Sequence, residues 1–140
     1  MNTVEISCTD ENTTPPVIAA LTATKDDAII KFEKGRYLFN RHGCLERKLY
    51  PSNNKGGLKN IVFPIVDANN IVIDGNGSEF VFEDRIFPFA IQNSKNITLK
   101  NFSMDFSFPR VFFAEVVRCD DEGIKFKYDE KLFDVFIDEE

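Results

Sequence analysis

The chain has 140 residues, 43% hydrophobic and 29% charged, the balance of one folded domain long enough to bury a core without staples. Seventeen Lys and Arg against 23 Asp and Glu leave a net charge of −6 with no basic stripe, so nucleic acid is not an expected partner. No apolar run reaches membrane-spanning length, and Cys8, Cys44, Cys119 and the single His42 are too few and too far apart for a disulfide framework or a zinc site; no membrane, metal or cofactor is expected.

In chain order, Met1 to Thr13 is polar and reads as an arm or a short first strand. Thr14-Pro15-Pro16 predicts a helix start, with Thr as cap and Pro at the first helical position. Val17, Ile18 and Leu21 follow at one-face spacing, giving a short amphipathic helix over Thr14 to Thr24, closed by Lys25-Asp26-Asp27 and suited to capping an exposed β core. Strands are then expected at Ala28 to Phe32 and Arg36 to Phe39, separated by a Glu33-Lys34-Gly35 turn in which Gly supplies positive φ. Asn40 to Lys59 is a polar excursion with a strand around Lys48 to Tyr50. Further strands are expected at Ile61 to Phe63, Ile71 to Ile73, Glu79 to Phe82, Ile86 to Ile91, Ile97 to Leu99 and Phe102 to Phe106, with Asp74 to Gly77 a turn. The last third holds Val111 to Cys119, an acidic turn at Asp120 to Gly123, Ile124 to Tyr128 and Leu132 to Ile137. The 15 Phe are read as core filling in strands.

The strongest pattern is an internal repeat. Phe63-Pro64 through Asn70-Ile71-Val72-Ile73 aligns with Phe87-Pro88 through Asn96-Ile97-Thr98-Leu99. Each unit is strand, Asn-rich corner, strand, polar corner, which is one coil of a solenoid and needs neighbours stacked on it. Asn70 and Asn96 fall at equivalent corners, where Asn tolerates left-handed φ and bonds nearby backbone. Ile71, Ile73, Ile97 and Leu99 are expected to share one core. Asp74-Gly75-Asn76-Gly77 carries a fragment of a calcium loop without its full spacing or closing Glu, so calcium is not expected.

The helix at Thr14 to Thr24 followed by Ile29 to Tyr37 resembles the N-terminal segment of pectate-lyase-like right-handed parallel β-helix proteins. Ile61 to Ile65, Asn70 to Ser78, Asn96 to Asn101, Met104 to Phe106 and Phe113 to Val117 are similar to one branch, the bacterial α-1,3-galactosidases that remove terminal galactose from blood-group-B-type glycans. The resemblance covers residues 14 to 137. It implies a mostly β fold: the first coils of a right-handed parallel β-helix, one short capping helix, and a C-terminal antiparallel hairpin beginning an inserted small barrel. The domain division it implies is 1–108 and 109–140.

The same resemblance implies inverting hydrolysis by acids on later coils, in an Asp-Asp-rich segment. Asp120-Asp121 lies at a hairpin tip and Asp26-Asp27 closes a helix, and neither suits a pKa-tuned acid facing a second carboxyl across a glycosidic bond. No catalytic residue is therefore assigned. Asn54 stands near where relatives are expected to carry His, which weakens a catalytic role for that loop. Asp105 and Arg110, where the chain leaves the coil, are the candidate substrate-binding residues. The expected function is the N-terminal, non-catalytic portion of a glycoside hydrolase that meets a terminal galactoside through its parent protein. The alternative is a stand-alone β-solenoid module, carbohydrate-binding or adhesin-like. A polysaccharide lyase would want a calcium cluster. With no second cap after Phe106, the isolated chain is expected to form a homodimer. Met1 to Ser7 is not a secretory signal, so the chain is expected either to be cytoplasmic or to start after a removed leader.

Overall fold

A computed structural model describes residues 1–53, 55–111 and 113–131. The chain is mostly β, with strands in both parallel and antiparallel pairs and a single helix among the described residues. It divides into two compact units, Met1–Asp105 and Phe106–Glu140. The strand expected at Leu132 to Ile137, and the substitution at Asn54, lie outside the described residues.

The first unit runs β1 (Asn2–Ile6), α1 (Thr14–Ala23), β2 (Asp26–Phe32), β3 (Arg36–Phe39), β4 (Leu45–Leu49), β5 (Gly57–Val66), β6 (Asn69–Phe82), β7 (Phe87–Gln92) and β8 (Lys95–Phe106). Strands β1, β2 and β6 pair in parallel, Val4 beside Ile30 and Ile30 beside Ile73, while β3 also pairs in parallel with β6, Tyr37 beside Phe80. Strand β8 joins this sheet on β6. A second sheet places β5 between antiparallel β4 and parallel β7, Phe63 beside Phe89.

Parallel pairing puts like residues side by side, and the core is built that way. Phe39 stacks on Phe82 with ring centroids 5.1 Å apart, Phe63 on Phe89 at 4.5 Å and Phe80 on Phe102 at 4.6 Å. Offset stacking suits the ring quadrupoles and adds roughly 0.5–1.5 kcal/mol per pair beyond burial. Ile71 and Ile73 are fully buried, as their phase after Asn70 requires, whereas Ile97 and Leu99 on β8 are half-buried. Tyr37 is buried with its hydroxyl donating to the carbonyls of Ile6 and Glu33 at 3.1 and 2.6 Å.

Several local expectations are corrected. The helix begins at Thr14, and no threonine side chain caps it. Pro15 and Pro16 occupy the positions whose N–H groups a cap would satisfy, so nothing is left for a threonine oxygen to accept. Instead Asn12 Oδ1 accepts from the Thr14 and Asn40 N–H groups, both at 3.1 Å, and the Thr14 hydroxyl donates to the Asn40 carbonyl at 2.9 Å. Asp26 and Asp27 open β2 rather than close the helix. Gly35 does not have positive φ; its reason is close approach, since a Cβ there would overlap Cys8 Sγ and lie 3.1 Å from Cys8 Cβ.

Ile71 to Ile73 and Glu79 to Phe82 belong to one strand, as do Ile97 to Leu99 and Phe102 to Phe106. Asn76 and Gly77 (φ 52° and 77°) bend β6, and Asn101 (φ 60°) bends β8, within continuous strands where separating turns were expected. Left-handed residues also mark the corners: Asp27 (φ 50°), Asn70 (φ 59°) and Asn96 (φ 53°) at one, Asp67 (φ 52°) and Asn93 (φ 47°) at another. Their amides reach side chains on the neighbouring strand rather than local backbone, because the parallel register sets a polar partner alongside. Asn70 Nδ2 donates to Asp27 Oδ1, Asn93 Nδ2 to Asp67 Oδ1, and Asn101 Nδ2 to Asp74 Oδ1.

The second unit contains an antiparallel hairpin of β9 (Ala114–Asp120) and β10 (Gly123–Tyr128), with a bulge at Lys125/Phe126. Cross-strand pairs sort it into two faces. Ala114–Tyr128, Val116–Phe126 and Cys119–Ile124 are apolar, whereas Glu115–Lys127 and Arg118–Lys125 are charged. At the tip Arg118 pairs with Asp120 at 2.9 Å and Glu122 at 3.2 Å, so these acids are a solvated ion-pair cluster.

Candidate functional site

Asp105 is exposed near the end of β8 and is the last residue of the first unit. Arg110 belongs to the second unit, exposed in the bend that precedes β9. Its guanidinium lies over the rings of Phe106 and Phe108, 4.2 and 5.2 Å from their centroids. A cation on two aromatic faces is a rigidly presented donor fork. The two residues thus belong to different compact units.

Asp74, in the middle of β6 beside β8, is a carboxylate engaged by several neighbours. It accepts from Asn101 Nδ2 at 2.9 Å and from the Asn76 N–H at 3.0 Å, and pairs with Lys100 Nζ at 3.4 Å. The Asn101 and Asn76 bonds, then the Lys100 ammonium, hold its pKa below the usual carboxylate value. That direction is opposite to what a general acid requires. Asp74 is therefore an anchor joining adjacent strands. It lies within continuous β6 rather than in the turn expected from the sequence.

Three further acids have local duties. Asp27 accepts from Asn70, and Asp120 and Glu122 hold Arg118. His42 is exposed in a turn, its carbonyl accepting from Asn12 Nδ2 at 2.8 Å. Cys44 is half-buried, with desolvation and the nearby Asp84 carboxylate pushing its thiol up to about 11, which makes it a poor nucleophile. What these residues do chemically is tie strands together and present polar groups at corners.

No family model matches the chain. Over 126 residues it is 35% identical to a protein of Phocaeicola vulgatus named alpha-1,3-galactosidase B, covering 85% of this chain and 21% of that protein. A Bacteroides fragilis protein of the same name is 38% identical over 125 residues, 84% of this chain and 21% of its own length. A third, from Bacteroides thetaiotaomicron, is 32% identical over 130 residues, 91% of this chain and again 21% of the relative. The chain thus spans about a fifth of the length of the curated relatives it matches.

Proposed function

We propose that this chain, a homologue of alpha-1,3-galactosidases over a fifth of their length, is the N-terminal, non-catalytic portion of a glycoside hydrolase acting on terminal α-1,3-linked galactose. The observation that carries the reading is identity of 32–38% across 84–91% of the chain to proteins of that name. The residue chemistry is in keeping with it. Asp27, Asp74, Asp120 and Glu122 are hydrogen-bonded or ion-paired anchors, and Asp74 is tuned away from proton donation. In this reading the stacked strands of the first unit are the first coils of a right-handed parallel β-helix. Support comes from the parallel registers of Asn2 to Ala28, Ala28 to Ile71 and Ile61 to Phe87, and from the corner residues Asp27 with Asn70 and Asp67 with Asn93 that bond across them. Residues 109–140 are the start of an inserted small barrel, and Asp105 and Arg110 line the substrate side of the assembled enzyme. The isolated chain pairs with a second copy through the apolar face of its hairpin.

A chimera tests the assignment. The Bacteroides fragilis relative, carrying this chain in place of its matching segment, is expected to release galactose from a terminal α-1,3-galactoside, while the 140-residue chain alone releases none. In the chimera, Asp105→Ala and Arg110→Ala are expected to raise KM more than they lower kcat. Hydrolysis by the chain alone overturns the non-catalytic role, and a folded but inactive chimera overturns the family function.

A further inference from the structure

Asn70, Asn76, Asn93, Asn96 and Asn101 all have positive φ. Four of them donate from Nδ2 to a side chain far along the chain: Asn70 to Asp27, Asn93 to Asp67, Asn96 to Asn69 and Asn101 to Asp74. The Asn76 side-chain amide has no such partner among the described residues; the residue is held instead by its backbone N–H, which donates to Asp74 Oδ1 at 3.0 Å.

Asn76 is also the one asparagine in the chain that is followed by glycine. Both residues are exposed, and a Cβ on Gly77 would meet nothing nearer than Lys34 Cε at 3.9 Å. The preceding pair, Asp74-Gly75, shows the contrast. Its carboxylate is engaged by Asn101, Lys100 and the Asn76 N–H, and Gly75 is buried where a Cβ would lie 2.5 Å from Phe102 Cβ. A free amide, an unhindered following nitrogen and open space come together at Asn76-Gly77.

We propose that Asn76-Gly77 is a site of spontaneous deamidation. The Gly77 nitrogen attacks Asn76 Cγ and loses its proton to solvent. A C–N bond forms, the bond to Nδ2 breaks, and ammonia leaves a five-membered succinimide. Water then opens the ring. Attack at the side-chain carbonyl gives aspartate, and attack at the main-chain carbonyl gives isoaspartate, in which the backbone runs through the β carbon. In sum one amide and one water become one carboxylate and one ammonium ion, with no change of oxidation state. The glycine matters because no side chain obstructs its nitrogen. The four anchored amides are held away from the nitrogens that follow them.

The product has two local consequences. The extra backbone atom of isoaspartate falls between fixed registers, Lys31 beside Asp74 and Arg36 beside Glu79. The new carboxylate joins Glu5 and Glu33 around the single Lys31 in the hollow that Asn76 lines. The isoaspartate form is therefore expected to unfold at lower urea than the fresh chain. None of the residues assigned to hydrolysis takes part.

The test is peptide mapping by mass spectrometry of the full 140-residue chain, kept folded at mildly alkaline pH. A gain of about 1 Da, the exchange of an amide NH2 for a hydroxyl oxygen, is expected at Asn76 ahead of every other asparagine. The aged chain is expected to accept methyl groups from S-adenosylmethionine in the presence of an isoaspartyl carboxyl methyltransferase, and the fresh chain is not. Gly77→Ala is expected to slow conversion severalfold. Asp67→Gly keeps the backbone freedom of that corner and releases the Asn93 amide, which precedes Ser94; Asn93 is expected to become the second site. If either variant does not fold, the order of conversion in the wild-type chain decides. An intact Asn76 when other asparagines have converted, conversion undiminished in folded Gly77→Ala, or an Asn93 no faster in folded Asp67→Gly overturns the proposal.

Discussion

Asn70 lies beside Asp27 across the parallel β2–β6 pair, both residues in the left-handed region, and its side-chain amide donates to the Asp27 carboxylate at 2.6 Å. One residue type therefore meets two demands: a φ that a branched or bulky side chain resists, and a bond to the neighbouring strand. Asn70→Ala is expected to cost about 1–2 kcal/mol, combining the lost bond and the backbone strain. Asn70→Gly keeps the φ and loses only the bond, so its urea midpoint is expected to lie between wild type and Asn70→Ala. Equal midpoints for the two variants would remove the conformational part of the argument.

Ile73 and Leu99 occupy equivalent positions in the repeat but not equivalent environments. Ile73 is fully buried and Leu99 half-buried. Ile73→Ala is expected to cost roughly 2–5 kcal/mol, with Leu99→Ala clearly less, because a cavity lined on one side by solvent relaxes more easily. Denaturant unfolding of the two variants orders them; a larger loss at Leu99 would contradict the described packing.

Gly35 is explained by Cys8. Gly35→Ala is expected to destabilise by roughly 1–3 kcal/mol through overpacking against the Cys8 side chain. Cys8→Gly removes that side chain, so Gly35→Ala in its background is expected to be far milder. A double-mutant cycle with no coupling between the two would place the constraint on Gly35 elsewhere.

Tyr37 gives the fold an alkaline limit. Burial, then the proximity of Cys8 and Glu33, pushes its phenol up to about 12 from an ordinary value near 10. The neutral phenol is the form the fold favours, so its contribution is complete below the unfolded value and is lost as pH rises through the folded one. Stability is expected to fall from about pH 10 towards pH 12 in wild type, and the Tyr37 share of that fall is expected to vanish in Tyr37→Phe. The same variant leaves the Ile6 and Glu33 carbonyls without that donor, at about 1–2 kcal/mol near neutral pH. Chemical denaturation across the alkaline range checks both effects.

Self-association is the expectation for the isolated chain. Phe113 is 81% exposed, Ile124 65% and Val116 61%, on or beside the apolar face of a two-stranded hairpin. A hairpin alone is marginal, and such a face favours a cover. Light scattering at micromolar concentration is expected to report a dimer that dissociates on dilution; a monomer of 16.0 kDa at every concentration would refute it.

The parts of the fold legible in the sequence are those governed by chemistry local to a residue. Asn70 and Asn96 announce corners because few other side chains tolerate their φ, and the phase of Ile71 and Ile73 follows from strand alternation. What was not legible depends on partners distant in sequence. Gly35 looked like a turn glycine, because nothing near it discloses that Cys8 lies against it. Asp74 looked like a turn residue, because its anchors Lys100 and Asn101 arrive only with β8. Asp105 and Arg110 were chosen by where they fall along the chain. Arg110's placement over Phe106 and Phe108 depends on a local bend that no spacing rule encodes.

The polar excursion between β3 and β5 changes the reach of the chain without changing its alignment. Asn2 meets Ala28, 26 positions on, whereas Ala28 meets Ile71, 43 positions on, yet both pairs are parallel and in register. Closure entropy grows only with the logarithm of loop length, so the longer step costs about 0.4 kcal/mol more than the shorter one. The link from β4 to β5 is thus a place where residues can be gained or lost over evolutionary time at little closure penalty. An epitope inserted in that link is expected to leave the β2–β6 register intact.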